Sequence, residues 1–215
     1  MDSRSEKAGA PEAGAAARIQ ARYRDPDLAS KLSGGAWNAA LDIILSQRSG
    51  RAYLDEPLPE GSLELIVAAA QSAATTSNLQ AWSVIAVEDK ARKARLADLA
   101  AGQRHIYSAP LLLVFVADLA RLREFSDMRG YPGEGLDYIE AFIIAVADAA
   151  FAAQNAMVAL ESLGLGGCYI GAMRNDAEAV AAELRLPPET MVVFGMTVGV
   201  PDPARPADVK PRLPQ

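Results

Sequence analysis

The run Gln154-Asn155-Ala156-Met157-Val158-Ala159-Leu160-Glu161-Ser162-Leu163-Gly164-Leu165-Gly166-Gly167-Cys168-Tyr169-Ile170-Gly171-Ala172-Met173-Arg174-Asn175 decides the fold. A helical pattern runs into Glu161 and Ser162. Gly164 then stops it, because glycine takes the left-handed conformation of a helix C-cap without steric cost. Gly166 and Gly167 follow as a bare turn. Cys168 to Met173 reads as a short buried strand broken by Gly171, and a glycine inside a strand marks a close approach of another backbone or of a ligand. A buried helix thus passes directly into a strand whose backbone N–H groups can face a flat ligand. The same glycines also suit an ordinary packed helix-to-strand joint, so this stretch alone leaves both readings open.

Working outward, Gly135 to Leu163 reads as one long helix, rich in alanine and apolar all round. Such a helix is enclosed by other elements or by a second subunit. Its most apolar part, Ile139 to Leu160, contains Asp148, Gln154 and Asn155, which argues for a buried helix over a membrane span. Asp148 and Asn155 are expected to be structural hydrogen-bonders. After the joint, Asn175 is expected to cap a helix to Leu184, with Glu178 three residues on. Pro187 and Pro188 terminate it, and Met191 to Val200 is a strand. In the proline-rich tail from Pro201 the side chains of Lys210 and Arg212 alternate to one side.

Before the joint, Pro110 opens Leu111 to Ala117, a continuous apolar run typical of a central strand. Asp118 to Gly135 is charged and carries Gly130, Pro132 and Gly133; it reads as a mobile excursion. Further upstream come a helix ending near Gln47, a helix over about 61–74, a strand from Trp82 to Val87 and a charged surface helix from Lys90 to Ala101. Residues 1–35 read as a flexible extension, with a disordered tail to Ala17 and a peripheral helix over Arg18 to Leu32. The folded domain is expected over 36–215.

Composition narrows the classes. The chain has 215 residues, 51% hydrophobic and 22% charged, which suits one globular domain. A net charge of −6 gives no support to a nucleic-acid partner. A single cysteine, Cys168, excludes an internal disulfide and points to the reducing cytoplasm. With one histidine, His105, no metal site is expected. The N-terminus lacks the apolar core of a secretory signal, and no membrane attachment is expected. Walker, nucleophile-elbow and dinucleotide fingerprints are missing, so no side chain stands out as a catalytic acid, base or nucleophile.

Three polar clusters remain. Gln47-Arg48-Ser49-Gly50-Arg51 offers two guanidinium forks suited to phosphate oxygens, or cations offsetting a helix dipole. Thr75-Thr76-Ser77-Asn78-Leu79-Gln80 offers neutral hydroxyls and amides, or a plain helix-ending loop. Gly102-Gln103-Arg104-His105 is the third, with the histidine expected at the surface.

In order and spacing these motifs resemble the nitroreductase superfamily of FMN proteins, in its NADPH-dependent nitroreductase and flavin-reductase branch. The resemblance runs from about Trp37 to Gln215 and adds Asp55-Glu56-Pro57, Tyr169-Ile170-Gly171 and Lys210-Pro211-Arg212-Leu213-Pro214. It implies an α+β fold: a central, mostly antiparallel sheet flanked by helices, with the long buried helix at the interface of a homodimer and FMN in a cleft there. It further implies that Gln47, Arg48, Arg51, Lys210 and Arg212 surround phosphate and ribityl groups. Ser49, Thr75, Thr76 and Ser77 would line the ribityl chain and ring, and Gln103 the pyrimidine edge. The backbone of Tyr169, Ile170, Gly171 and Ala172 would lie beside the reactive edge. The implied activity is ping-pong transfer of two electrons from NADPH or NADH to small planar acceptors: nitroaromatics, quinones or flavins. Oxygen-dependent or dehalogenating chemistry, non-catalytic flavin binding, and a scaffold without flavin are the alternatives. Two departures are visible: Gln47 stands where the family has histidine, and Ala172 where it has a second glycine. The helical C-terminal arm of relatives is expected to be missing, which leaves the choice of nicotinamide open.

Overall fold

The computed structural model describes residues 9–213, so the expectation for residues 1–8 lies outside it. The chain divides into two compact units, one running up to Arg48 and resuming at Ala207, the other Ser49–Pro206.

In the first unit lie helices α1 (Gly9–Tyr23), α2 (Pro26–Ser33) and α3 (Ala39–Ser46). Helix already begins at Gly9, inside the stretch expected to be a tail. The single helix expected over Arg18–Leu32 is broken because Arg24 turns left-handed (φ 54°). Asp25 then caps α2 by accepting from Asp27 and Leu28 N–H, with Pro26 in the first turn. Ala15 and Ile19 are buried, and Arg18 pairs with Asp42 of α3 at 2.9 Å. Asn38 caps α3 through Leu41 N–H, and the helix ends at Gln47 as expected.

The second unit runs α4 (Ser62–Gln71), β1 (Trp82–Val87), α5 (Lys90–Leu99), α6 (Arg104–Ser108), β2 (Leu111–Asp118), α7 (Ala120–Met128), α8 (Ile139–Ser162), β3 (Gly166–Ile170), α9 (Ala177–Leu184) and β4 (Thr190–Gly199). The four strands form one sheet in the order β1-β2-β4-β3, antiparallel at every pairing. This is the α+β architecture expected.

Strand β2 is buried along its whole length, as its unbroken apolar run requires. Successive side chains point to opposite faces. Leu111, Leu113 and Phe115 pack with Ile66 and Ala70 of α4 and with Ala152, Ala153, Ala156, Met157 and Leu160 of α8. Leu112, Val114 and Val116 pack with Leu96 and Ala97 of α5 and with Val180 and Leu184 of α9. The alanines explain how α8 can lie so close to the sheet. By length and composition α8 could span a membrane, yet its buried face belongs to this core. The rest of the helix departs from the expected all-round burial: Ile139, Ile143 and Phe151 are exposed.

Three expectations are corrected. Strand β3 starts at Gly166 and ends at Ile170, and Gly171 opens a 3₁₀ turn to Arg174. The cap of α9 is Asp176, which accepts from Ala179 N–H. Asn175 is itself in a helical conformation (φ −63°, ψ −35°) and so cannot take the extended geometry of an N-cap. The charged stretch from Asp118 holds helix α7. Arg123 fixes it by pairing with Glu189 at 3.1 Å and with Asp137, and by donating to Gly133 O at 2.9 Å. Arg121 and Arg123 have partners distant in sequence, which composition alone does not reveal.

Gly199 is required by its neighbours. A Cβ there would stand 2.7 Å from Tyr53 Cδ1 and 2.9 Å from Pro110 Cδ. The Tyr53 ring has no room to retreat, since its hydroxyl donates to Gly50 O at 2.6 Å and meets Thr197 Oγ1 at 2.8 Å. Gly199→Ala should therefore destabilise the protein by about 1–3 kcal/mol. A lower urea midpoint at unchanged m would show it, and an unchanged midpoint would contradict the packing.

Candidate functional site

In Ser49–Pro206, Ser49 forms a parallel β-bridge with Gly167, and Gly50 N–H donates to Gly167 O at 2.9 Å. A Cβ on Gly50 would meet the Gly166 backbone at 3.6 Å. The Gly166–Gly167 pair of the helix-to-strand joint therefore receives the serine-arginine turn edge-on. Gly164 caps α8 in the left-handed conformation (φ 76°), as expected.

This bridging places Arg51 beside Cys168 of β3. Burial pushes the Cys168 thiol up, while the neighbouring Arg51 guanidinium and Ser49 hydroxyl act in the opposite direction. Of the residues expected along the strand edge, Ile170 is a core residue (1% exposed), so only its backbone can serve a ligand. Tyr169 packs edge-on against Phe194 with ring centroids 5.1 Å apart. Gly171 and Ala172 lie in the 3₁₀ turn and are exposed and half-buried. The Arg174 guanidinium reaches 3.4 Å from the position of a Cβ on Gly171.

Thr75, Thr76 and Ser77 hang from α8. The Asp148 carboxyl group, fully buried, accepts from Thr75 Oγ1 at 2.5 Å, Thr76 N–H at 3.0 Å and Ala81 N–H at 3.2 Å. Both ends of the loop are thereby tied to one side chain. Between them Ser77, Asn78 and Gln80 adopt left-handed φ of 50°, 57° and 51°, a conformation costing about 1–3 kcal/mol at each non-glycine residue. Arg121 braces the far end through the carbonyls of Gln80 and Trp82. Sequence reasoning assigned Asp148 a structural role and missed that its partner is the hydroxyl loop; Arg121 carried no signal.

Gln103 is the N-cap of α6, half-buried and with no side-chain cap bond. Two residues on, His105 departs from the surface placement expected of it. It is 7% exposed, and its Nε2 has no hydrogen-bond partner among the described residues. Burial, with the Arg51 charge nearby, holds the imidazole below its ordinary range. The unfolded chain therefore binds more protons, and stability falls as pH drops through the ordinary imidazole range near 6.5. The flavin-free wild type should lose more melting temperature between about pH 7.5 and 5.5 than His105→Gln. Parallel pH–melting curves would contradict the assignment.

Among the described residues no hydrogen bond joins the Thr75–Ser77 loop to the Ser49–Arg51 turn. These are separate anchor points on α8 and β3.

In the first unit, Gln47 is the C-cap of α3 and Arg48 follows it, half-buried and exposed respectively. Lys210 and Arg212 are exposed, and Arg212 N–H donates to Arg22 O at 2.8 Å. The side chain of Arg22 donates to the carbonyls of both Gln47 and Lys210. Of the expected phosphate-side cations, Arg48, Lys210 and Arg212 thus lie on two segments joined through one residue of α1, while Arg51 belongs to the other unit. No feature of the alanine-rich N-terminal sequence signalled that role.

Within Ser49–Pro206, Arg51, the neutral hydroxyl loop and the exposed backbone turn at Gly171 offer a cation, polar contacts and an edge, a set suited to a planar polar ligand. Within the first unit, two cation-bearing segments offer charge suited to an anionic group. The buried, partnerless Nε2 of His105 beside Arg51 is the orphan that such a polar ligand or its water would satisfy. No cluster of metal-ligating side chains occurs among the described residues.

Comparison with known proteins gives a consistent answer. The model of the Nitroreductase family matches residues 44–200. An FMN reductase (NADPH) of Bacillus subtilis is 38% identical over 179 residues, covering 83% of this chain and 71% of that protein. An oxygen-insensitive NADPH nitroreductase of Salmonella typhimurium is 39% identical over 174 residues, covering 81% and 70%. Among solved structures, the NADPH:FMN oxidoreductase from Vibrio harveyi complexed with NAD+ aligns with a TM-score of 0.77 at 37% identity, covering 82% of this chain and 74% of that one.

Proposed function

The chain belongs to the nitroreductase family, and from that premise we propose that it is an FMN-dependent oxidoreductase moving two electrons from NAD(P)H to a nitroaromatic, quinone or flavin acceptor. The observation that carries this reading is the Ser49–Gly167 bridge. It sets the arginine turn against the glycine joint, so that cationic donors and an exposed backbone edge belong to one region of the sheet. Relatives named as NADPH-dependent FMN reductase and nitroreductase support it.

FMN, when bound, supplies the redox chemistry itself, accepting electrons from the nicotinamide and returning them to the acceptor. The protein's residues bind and orient. Arg48, Lys210 and Arg212 hold the phosphate, with Gln47 contributing a neutral amide. Arg51 lends its charge to the phosphate and ribityl end, and Gln103 serves the polar edge of the ring. Ser49 contributes a hydroxyl toward the ribityl chain. Tyr169 to Ala172 present main chain to the reactive edge, with the Arg174 guanidinium beside Gly171.

The Thr75–Ser77 loop hangs from the helix whose exposed face carries Ile139, Ile143 and Phe151. A row of large apolar side chains on a core helix marks a subunit contact, and a homodimer built on this face gives α8 its second wall. Light scattering at twice the chain mass is the expected result, and a monomer at micromolar concentration would remove this part. Steady-state kinetics test the activity. Double-reciprocal plots for NADPH at several acceptor concentrations should give parallel lines, as alternating half-reactions require. Absence of any acceptor-dependent NAD(P)H oxidation by flavin-loaded protein would overturn the assignment.

A further inference from the structure

Arg22 lies in α1, ahead of the residues that the family match covers, and it is almost completely buried (4% exposed). Its guanidinium spends its donors on main-chain carbonyls from two distant segments. Nε and Nη2 donate to Leu45 O at 3.2 and 3.0 Å, and Nη2 donates to Gln47 O. Nη1 donates to Lys210 O at 2.9 Å. The main chain closes the arrangement, with Arg22 O accepting from Arg212 N–H at 2.8 Å.

Capping the C-terminus of α3 explains only part of this. The last carbonyls of a helix lack intrahelical partners and carry the negative end of its dipole, so a cation at Leu45 and Gln47 is favourable there. It does not explain the fork reaching across to Lys210, nor the backbone bond from Arg212. A planar guanidinium is the side chain able to hold several carbonyls in fixed relative positions. The two segments it joins are those that carry Arg48, Lys210 and Arg212. With Arg22 itself, four cationic residues are tied together within one unit.

We propose that Arg22 is a positioning residue for the flavin phosphate: from the N-terminal helix it locks the Gln47–Arg48 step to the Lys210–Arg212 segment, so that their cations act on one phosphate. The proposal rests on the FMN-binding reading above. It assigns the N-terminal extension a function, and it compensates for the neutral Gln47 at the phosphate end.

Comparison of FMN with riboflavin, which lacks the phosphate, tests it. Both are titrated by fluorescence into the full-length flavin-free protein and into Arg22→Gln and Arg22→Lys. In Arg22→Gln the FMN dissociation constant should rise by about tenfold or more, as for loss of a charge-assisted contact, with riboflavin unchanged. Arg22→Lys keeps the charge but not the fork and should also lose FMN preference, by a smaller factor. Should Arg22→Gln fail to fold, the ratio of the two affinities in Arg22→Lys decides alone. An FMN-to-riboflavin ratio equal to wild type in the folded variants would overturn the proposal, because a general structural defect weakens both ligands alike. Wild-type protein that binds neither flavin would instead remove the FMN reading beneath it.

Discussion

Asp148→Ala should be among the most damaging single substitutions in this protein, lowering stability by on the order of 3 kcal/mol or more. Three donors converge on the carboxyl group, which has no exposed surface. An alanine leaves Thr76 N–H, Ala81 N–H and the Thr75 hydroxyl without their acceptor, and leaving a buried donor unsatisfied costs about 1–3 kcal/mol. The losses need not add, because all three belong to one loop. The loop also stores strain at Ser77, Asn78 and Gln80. Strained backbone persists only while its surroundings over-determine it, so releasing its anchor lets the hydroxyl loop relax from the shape in which it would line a flavin. Asp148→Asn informs further. Each carboxyl oxygen serves at least one donor, Oδ1 taking Thr76 N–H and Oδ2 both Thr75 Oγ1 and Ala81 N–H. An amide NH2 in either place faces a donor, so Asp148→Asn should recover only part of the loss. Urea denaturation reads the stability and flavin absorbance after dialysis reads the loop. Wild-type values for both in Asp148→Ala would sink the anchoring role.

Arg51→Ala should raise the FMN dissociation constant by about 10–100-fold, as for loss of one charge-assisted contact. The structure adds a second readout that needs no flavin. His105 is the only histidine of the chain, so its imidazole can be titrated by NMR without assignment. Arg51 is one of the two influences holding that imidazole down, the larger being burial. Removing the charge should let the His105 pKa climb part of the way back, while burial still keeps it below the ordinary value. An unmoved titration curve together with unchanged FMN affinity would place Arg51 elsewhere than described.

How far the sequence was legible follows from which forces act locally. The glycine stop at Gly164, the central strand after Pro110 and the end of α3 at Gln47 depend on neighbours a few residues away. All three stand in the structure as read. Helix starts were less legible, because any of several polar residues can cap: Asn175 and Asp176 compete, and backbone geometry chooses Asp176. The stretch around α7 looked mobile because its charges lack near partners, whereas Arg123 finds Glu189 across the chain. Ordered family motifs pointed to FMN, although no motif by itself carried that much. The supports behind those motifs stayed hidden. Asp148, Arg121 and Arg22 act through main-chain groups distant in sequence, and a side chain's long-range partner leaves no local pattern. His105 was misplaced for a related reason: a polar residue in a short helix gives no sign of which neighbours will cover it.

Anaerobic titration of the flavin-loaded protein with NADPH and then NADH, followed by its absorption spectrum, tests the central claim most directly. The account predicts that the flavin bands bleach with one nicotinamide per bound FMN, and that a nitroaromatic or free flavin then restores them. Flavin bands that persist in excess nicotinamide would contradict it, and would turn the reading toward flavin chemistry that does not begin with NAD(P)H.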